Sequence, residues 1–236
     1  MEIFLQAETY ISLLTLTLLE IVLGIDNIIF ISIVTGKLPR EKQRKTRTTG
    51  LVLALFFRIA LLSLITYITH LVHPLFSVSN FDFSYRDLIL LIGGIFLISK
   101  SVTEIHTKIE GETHKTKNGK SQAVFYVIMQ IVALDIIFSF DSILTAVGLS
   151  NQLIIMITAI VIAMFVMIYF SGFISDFINK HPTIQVLALS FLILIGFMLT
   201  LDAFHYEIPK GYIYFALAFS VMVEAINIKI RKKVVD

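Results

Sequence analysis

Long apolar stretches alternate with short polar breaks along the whole chain. A helix that crosses a membrane needs about 20 mostly apolar residues. Seven stretches are of roughly this length, and we expect each of them to form a transmembrane helix. They lie near residues 10–35, 48–72, 86–105, 122–147, 152–177, 184–201 and 212–228.

Proline and charged residues mark the breaks between these stretches. His73-Pro74 ends the second stretch, and His181-Pro182 follows the fifth. The pattern predicts an all-α polytopic membrane protein with seven transmembrane helices in a single domain over residues 1–236. We expect helices 1–3 over 10–105, a cytoplasmic loop over 106–121, helices 4–6 over 122–201 and helix 7 over 212–228.

The composition agrees with a membrane protein. Of the 236 residues, 57% are hydrophobic and 15% are charged, whereas about a quarter of the residues in soluble domains are charged. The chain has no cysteine, which excludes disulfides and thiolate metal sites. Glu20 and Asp26 inside the first stretch argue against a cleaved signal peptide. We recognise no nucleotide-binding motif and expect no enzymatic activity.

Basic residues are unevenly divided between the two predicted sides of the membrane. Fifteen of the 19 lie in the first, third and fifth connections or after the last span, and the opposite side has only Arg86 and Lys210. Because cytoplasmic loops carry the excess of Lys and Arg, we expect the N-terminus outside and the C-terminus in the cytoplasm. This predicts a multi-pass membrane protein in that orientation. The basic run 37–47 is interpreted as a cytoplasmic membrane-surface loop, not a nucleic-acid-binding segment.

Five acidic residues lie in the middle of predicted spans, where a charge costs about 2.5–3.5 kcal/mol. They are Glu20 and Asp26 in the first span, Asp135 and Asp141 in the fourth, and Glu224 in the last. Ion pairs with Arg58 or Lys100 would explain some of them, but two basic residues cannot neutralise five carboxylates. The pattern therefore favours a functional role for the mid-span acids. Glu104, Asp176 and Asp202 lie nearer to span ends, where loop water solvates them.

The first and fourth spans resemble each other. Residues 19–28 match residues 134–143, and both segments place two acidic residues six apart with a small polar residue directly after the second. Gly93-Gly94 to Lys100 in the third span likewise resembles Gly196 to Asp202 in the sixth. We interpret spans 1–3 and 4–6 as copies of one unit. Because each unit has three spans, the copies enter from opposite faces and form two inverted three-helix repeats, plus a seventh helix.

Helix geometry limits how each motif can act. Six residues turn through about 600°, so Glu20 and Asp26 lie about 120° apart on a regular helix. Either the two acids face different neighbours, or the helix opens between them. We favour some unwinding in the first motif because Gly24 tolerates it, and the case is weaker at Ser139 in the second.

Oxygen ligands dominate the predicted site. Carboxylate, carbonyl, amide and hydroxyl oxygens suit hard or borderline divalent ions such as Mn²⁺, Mg²⁺ and Ca²⁺. The six histidines all lie at span ends or in loops. Methionines such as Met164 and Met167 are interpreted as packing residues. The spacing alone therefore predicts a cation site near the middle of the membrane without identifying the ion.

The two motifs are similar to those of a known family. LEIVLGIDNIIFIS (19–32) and LDIIFSFDSILTAVGL (134–149) resemble the paired signatures of the TerC family of integral membrane proteins, in the lysine-exporter superfamily. The resemblance covers nearly the whole chain and is greatest to the short bacterial branch without appended soluble domains. It implies metal-ion transport, chiefly manganese efflux, with Mn²⁺ as transported substrate and no permanently bound cofactor.

The resulting hypothesis is a divalent-metal exporter that contacts the lipid bilayer and its metal ion and binds no nucleic acid; its protein partners are unknown. The predicted metal ligands are Glu20, Asp26, Asn27, Asp135, Asp141 and Ser142, and the second-tier candidates are Glu224, Asn227, Lys100 and Arg58. Arg58 and Lys100 would compensate charge in the metal-free state. Two alternatives stay open: an exporter of amino acids or organic cations, and a non-transporting membrane assembly factor.

Coupling to protons is a further expectation. Four ionised carboxylates around one cavity carry more negative charge than one divalent ion cancels, and like charges at close range disfavour joint ionisation. Some carboxyls would then hold protons that the metal displaces, which gives proton antiport. Neutralisation by Arg58 or Lys100 and a facilitated pathway driven by the metal gradient are the competing accounts.

Overall fold

The structure is a computed structural model, and it describes residues 7–64, 74–78, 81–110, 120–149, 152–206 and 208–235. Within these ranges, seven helices are long and apolar enough to cross a membrane. They are α1 (Ala7–Gly36), α2 (Arg40–Ser63), α3 (Tyr85–Glu110), α4 (Lys120–Leu149), α5 (Leu153–Lys180), α6 (Pro182–Ala203) and α7 (Lys210–Val235). The predicted fold class and number of spans are confirmed.

The second helix differs most from its predicted bounds. Helix α2 begins at Arg40, directly after Pro39, whereas the sequence predicted a span over 48–72. It ends at Ser63, and residues 65–72 of the predicted span lie outside the described structure. The basic run is therefore mostly the first two turns of a helix, and its interpretation as a loop is wrong. Charged residues with long side chains are good helix formers, and the buried Thr46 and Arg47 show that this end of α2 packs against the bundle.

A short β-hairpin precedes α3 in a stretch that the sequence analysis left between two spans. Strand β1 (Pro74–Val78) pairs antiparallel with β2 (Phe81–Ser84), with Phe76 opposite Phe83. Helix α3 follows β2 directly, and Ser84 and Asp87 cap its first turn reciprocally. The backbone N–H of Ser84 donates to Oδ2 of Asp87 at 2.8 Å, and the backbone N–H of Asp87 is 3.3 Å from Oγ of Ser84.

The outer surface of the bundle is apolar, and its interior holds buried charges. Phe56, Phe165, Tyr169 and Phe215 are all exposed, with Tyr169 at 81%. Glu20, by contrast, is buried. Soluble monomers seldom expose such large contiguous apolar surfaces, whereas lipid chains cover them at no cost. The distribution is that of a protein that crosses the bilayer.

Helix pairing follows a regular pattern. Helix α3 packs most extensively on α6 and α1 on α5, followed by α2 on α4. Exchanging helices 1–3 for helices 4–6 would convert the α1–α5 pair into the α4–α2 pair and leave the α3–α6 pair unchanged. The contacts are thus those that two related three-helix units would make.

Candidate metal-ion site

A buried arginine joins two of the mid-span acids. Arg58 of α2 donates from Nη1 to Oε2 of Glu20 on α1 at 2.5 Å, and from Nη2 to Oδ1 of Asp135 on α4 at 2.8 Å. Each of these three residues is less than 5% exposed. Glu20 and Asp135 are the corresponding first acids of the two motifs. The structure therefore brings the two motifs together at one point in the membrane core.

Two neutral side chains complete this arrangement, which we call the Arg58 cluster (Glu20, Asn27, Arg58, Asp135 and Ser139). Ser139 accepts from Nε of Arg58 at 2.8 Å and donates to Oδ2 of Asp135 at 3.1 Å. Asn27 donates from Nδ2 to Oδ1 of Asp135 at 3.3 Å. Its own Oδ1 is buried and has no hydrogen-bond partner among the described side chains. Because buried polar atoms in native proteins are nearly always paired, this oxygen is a candidate ligand atom.

Helical spacing explains why these side chains meet. Glu20 and Asn27 are seven residues apart on α1 and share one face, and Asp135 and Ser139 are four apart on α4 and share another. Arg58 lies on the buried face of α2, which also presents Ala54 to the bundle. Three separate helices thus contribute one polar face each to a common centre.

The Arg58 cluster lies between two separate apolar cores. On α1 it separates Leu16 from Ile28, and on α2 it separates Ala54 from Leu62. Leu16 and Leu62 belong to a core at the predicted outer end, together with Ile143, and Ile28 and Ala54 belong to the larger core at the predicted cytoplasmic end. Among the described residues, the polar centre therefore has apolar side chains on both sides along α1 and α2.

The predicted unwinding of the first motif is wrong. Helix α1 is continuous from Ala7 to Gly36, and α4 from Lys120 to Leu149. Gly24 serves close packing instead, because a Cβ at this position would overlap the sulfur of Met167 on α5. Met164 and Met167 are both buried in the core, which agrees with their interpretation as packing residues.

Three predicted ligands lie only partly within the described structure. The backbones of Asp26, Asp141 and Ser142 belong to the continuous helices α1 and α4, and their side chains lie outside what the structure describes. Since both helices are regular, Asp26 follows Glu20 with a turn of about 120° around the axis. Their role as ligands stays a prediction.

Lys100 does not join the Arg58 cluster. Its Nζ lies 3.1 Å from Oε1 of Glu104, one helical turn along α3. Glu104 is itself buried, and its Oε2 is 2.5 Å from Nζ of Lys37, which lies in the turn between α1 and α2. Lys100 therefore pairs with Glu104 and, among the described side chains, does not contact Glu20 or Asp135. Its role in balancing Asp26 and Asp141 stays a prediction, because their side chains lie outside what the structure describes. The explanation of Glu104 by loop water is wrong, since two lysines neutralise it.

The second-tier pair on the last helix lies elsewhere. Asn227 donates from Nδ2 to Oε2 of Glu224 at 3.3 Å. Helix α7 packs mainly on α6, and Asn227 is exposed. The side chains that accept hydrogen bonds from Arg58 belong to α1 and α4. The structure therefore does not bring this pair into the Arg58 cluster.

Sequence reasoning missed Ser139 as a member of the site and missed the Lys37–Glu104 contact. A signal for Ser139 was present, because it follows Asp135 by four residues and a polar pair at that spacing shares one helix face. No comparable signal linked Lys37 to Glu104, which are far apart in the chain and come together only through packing.

The chemistry of the Arg58 cluster is that of an oxygen site with excess negative charge. Two carboxylates and one guanidinium leave a formal charge of −1, and the amide oxygen of Asn27 adds a neutral ligand. Such oxygens suit hard divalent cations. Among the described side chains, no group of three or more His, Asp or Glu residues is placed to hold a metal ion. A full coordination shell would need ligands from Asp26 or Asp141.

Comparisons with known proteins identify the family. The model of the integral membrane protein TerC family matches residues 5–235. The chain is 52% identical to the UPF0053 inner membrane protein YgdQ of Escherichia coli K12 over 226 residues, covering 96% of this chain and 95% of YgdQ.

Longer relatives are also similar. The chain is 49% identical over 228 residues to the UPF0053 inner membrane protein YoaE of Escherichia coli K12, covering 96% of this chain and 44% of YoaE. A UPF0053 protein of Buchnera aphidicola is similar to the same extent. The chain thus spans less than half the length of these longer relatives. No solved structure matches it. The chain belongs to the integral membrane protein TerC family.

Proposed function

We propose that this protein is a membrane transporter that exports divalent metal ions, with Mn²⁺ as the first candidate, through a carboxylate site between α1 and α4. The observation that carries the proposal is the convergence of Glu20 and Asp135 on one buried centre. Acidic residues in membrane spans are rare and mark ion pathways. We also propose the inner membrane as its location, as the names of YoaE and YgdQ indicate for those relatives.

The donor set favours a hard cation. Glu20 and Asp135 supply carboxylate oxygens, and Asn27 supplies an amide oxygen that has no partner within the described structure. Asp26 and Asp141, on the same helices, would complete the ligand set. Mn²⁺ prefers carboxylate, carbonyl and water oxygens. An amino acid would also need a polar site for its own carboxylate, and Glu20 and Asp135 would repel that negative charge.

The arrangement of the helices supports alternating access. Two related three-helix units would place their equivalent motifs at the centre of the membrane, as in transporters built from inverted repeats. The α1–α5 and α2–α4 pairs are those that an exchange of the two units would interconvert. The apolar cores on both sides of the Arg58 cluster would act as the two barriers to the ion.

One observation favours a second candidate, a non-transporting assembly factor. Arg58 neutralises part of the negative charge and joins three helices, which a purely structural ion-pair cluster would also do. The two functions differ in whether the protein binds metal. A structural cluster has no need of a cation, whereas a transport site must take one up.

Metal binding by the purified protein tests the proposal. We expect the full chain in lipid nanodiscs to bind Mn²⁺, and Glu20→Gln and Asp135→Asn each to weaken that binding by roughly 10-fold or more. Glu110→Gln is the matched control, because it removes an exposed carboxylate at the end of α3. If the unmodified protein binds neither Mn²⁺ nor another divalent ion, the proposal is wrong and the assembly factor is favoured over it.

A further inference from the structure

Arg58 donates hydrogen bonds to the carboxylate oxygens of Glu20 and Asp135, which the divalent cation of the proposed function would need as ligands. Each of its three side-chain nitrogens donates a hydrogen bond: Nη1 to Glu20, Nη2 to Asp135 and Nε to Ser139. The residue is 3% exposed, so water does not screen these contacts. The guanidinium therefore lies where a cation bound between α1 and α4 would lie.

We propose that Arg58 is an internal competitor of the transported ion. In this mechanism, which rests on the function proposed above, the ion binds Glu20 and Asp135 by displacing the guanidinium, and the guanidinium returns when the ion leaves. A divalent cation needs direct contact with ionised oxygens. The positive charge of Arg58, which lies within 2.8 Å of both carboxylates, repels a cation that approaches them.

Competition between Arg58 and the ion would help a transporter in two ways, by stabilising the empty site and by permitting release of the ion. First, two unpaired carboxylates in the membrane core would be costly in the empty state, and Arg58 neutralises one of the two charges. Secondly, a site that binds its ion too tightly cannot release it. A competing cation on the protein lowers the affinity and so permits release.

Arginine is better suited to this role than lysine. Its planar guanidinium presents donors in several directions and spans two carboxylates on different helices, whereas an ammonium is a point charge on a flexible stem. Lys100 cannot take over the role, because it is paired with Glu104 at 3.1 Å. Within the described residues, Arg58 is the cation that contacts both acids.

Mn²⁺ affinity and Mn²⁺ flux, measured on the same variants of the full chain, test the inference. We expect Arg58→Gln to bind Mn²⁺ more tightly than the unmodified protein by on the order of 10-fold or more, and to transport it more slowly in reconstituted vesicles. Arg58→Lys should give an intermediate affinity. Arg47→Gln is the matched control, since Arg47 is also a buried arginine of α2 but donates to Ser171 outside the cluster.

Each outcome decides one question. If the unmodified protein binds Mn²⁺ and a folded Arg58→Gln variant binds it equally or less tightly, the competition is wrong and the metal site stands. If the unmodified protein binds no divalent ion, the proposed function itself is wrong.

A second pair of variants, which leaves fewer unpaired buried charges, keeps the inference testable. Should Arg58→Gln fail to fold, Glu20→Gln is compared with the double variant Glu20→Gln/Arg58→Gln, which leaves a single carboxylate of this pair without a competitor. Tighter Mn²⁺ binding by the double variant supports the inference, and equal binding overturns it.

Discussion

Gly94 of α3 and Gly196 of α6 meet backbone to backbone where the two helices cross. A Cβ on Gly94 would lie 2.5 Å from the carbonyl oxygen of Gly196, and a Cβ on Gly196 would lie 2.8 Å from the carbonyl oxygen of Gly94. The sequence analysis paired these same two positions as equivalents in the two repeats. Residues on a two-fold axis contact their own equivalents, so this contact supports the proposed inverted repeat.

We predict that Gly94→Ala destabilises the protein, because the added methyl group forces two helix backbones apart. Overpacking of this kind costs roughly 1–3 kcal/mol. Gly211→Ala is the control, since a Cβ there meets no atom within 4 Å. It should leave stability unchanged or raise it by up to about 1 kcal/mol through higher helix propensity. Thermal unfolding in detergent measures both, and an equal melting temperature for the two variants would show that the crossing tolerates a side chain.

We expect Asp26→Asn and Asp141→Asn each to abolish Mn²⁺ export, with the double variant no worse than either single one. Residues that act as one unit show such non-additive effects. Both variants should insert normally, because removing a charge from the membrane core favours insertion. Mn²⁺ efflux from vesicles measures the effect against Glu110→Gln. Full activity of either single variant would remove that residue from the site.

The predicted orientation can be tested with single cysteines, because the chain has none of its own. Lys180 at the end of α5 and Tyr206 after α6 are both exposed and lie at opposite ends of α6. In intact cells we expect an impermeant thiol reagent to label Tyr206→Cys and to leave Lys180→Cys unlabelled. The reverse result would place the N-terminus in the cytoplasm.

Proton antiport predicts a change of internal pH during transport. Metal binding needs ionised oxygens, so any proton held by the site must leave when the ion arrives. We expect Mn²⁺ movement in reconstituted vesicles to shift the signal of a trapped pH dye and to respond to an imposed pH gradient. Asp141→Asn vesicles serve as the control for leaks. Metal movement without either effect would favour a facilitated pathway.

The sequence predicted the spans well and their local details less well. The first helix ends close to its expected bound because Gly36 and Lys37 follow its apolar run. The start of α2 was missed because Arg40 to Arg47 lack the hydrophobicity by which a span is recognised, although they form regular helical turns. The hydrophobic pattern of a segment identifies the residues that cross the membrane, and the helix can continue past them into polar residues.

The residues of the candidate site were also predicted from the sequence only in part. Glu20 and Asp135 were identified from the sequence alone, since an acid in the middle of an apolar span is conspicuous wherever it packs. Their shared contact with Arg58 at 2.5 and 2.8 Å needed three helices to be placed together. Lys100 and Glu104 are four residues apart on α3, so their pairing could have been predicted from the spacing. The contact of Glu104 with Lys37 depended on how the helices pack.

The sequence by itself determined the membrane class, the seven spans and the presence of unusual acids, because the hydrophobic effect and the cost of buried charge act on each segment separately. The tertiary structure decided which charges neutralise one another, where Gly24 and Gly94 allow close approach, and that Arg58 lies between the two motifs. These features depend on distances between helices far apart in the chain, and such distances follow from how side chains of all helices pack together.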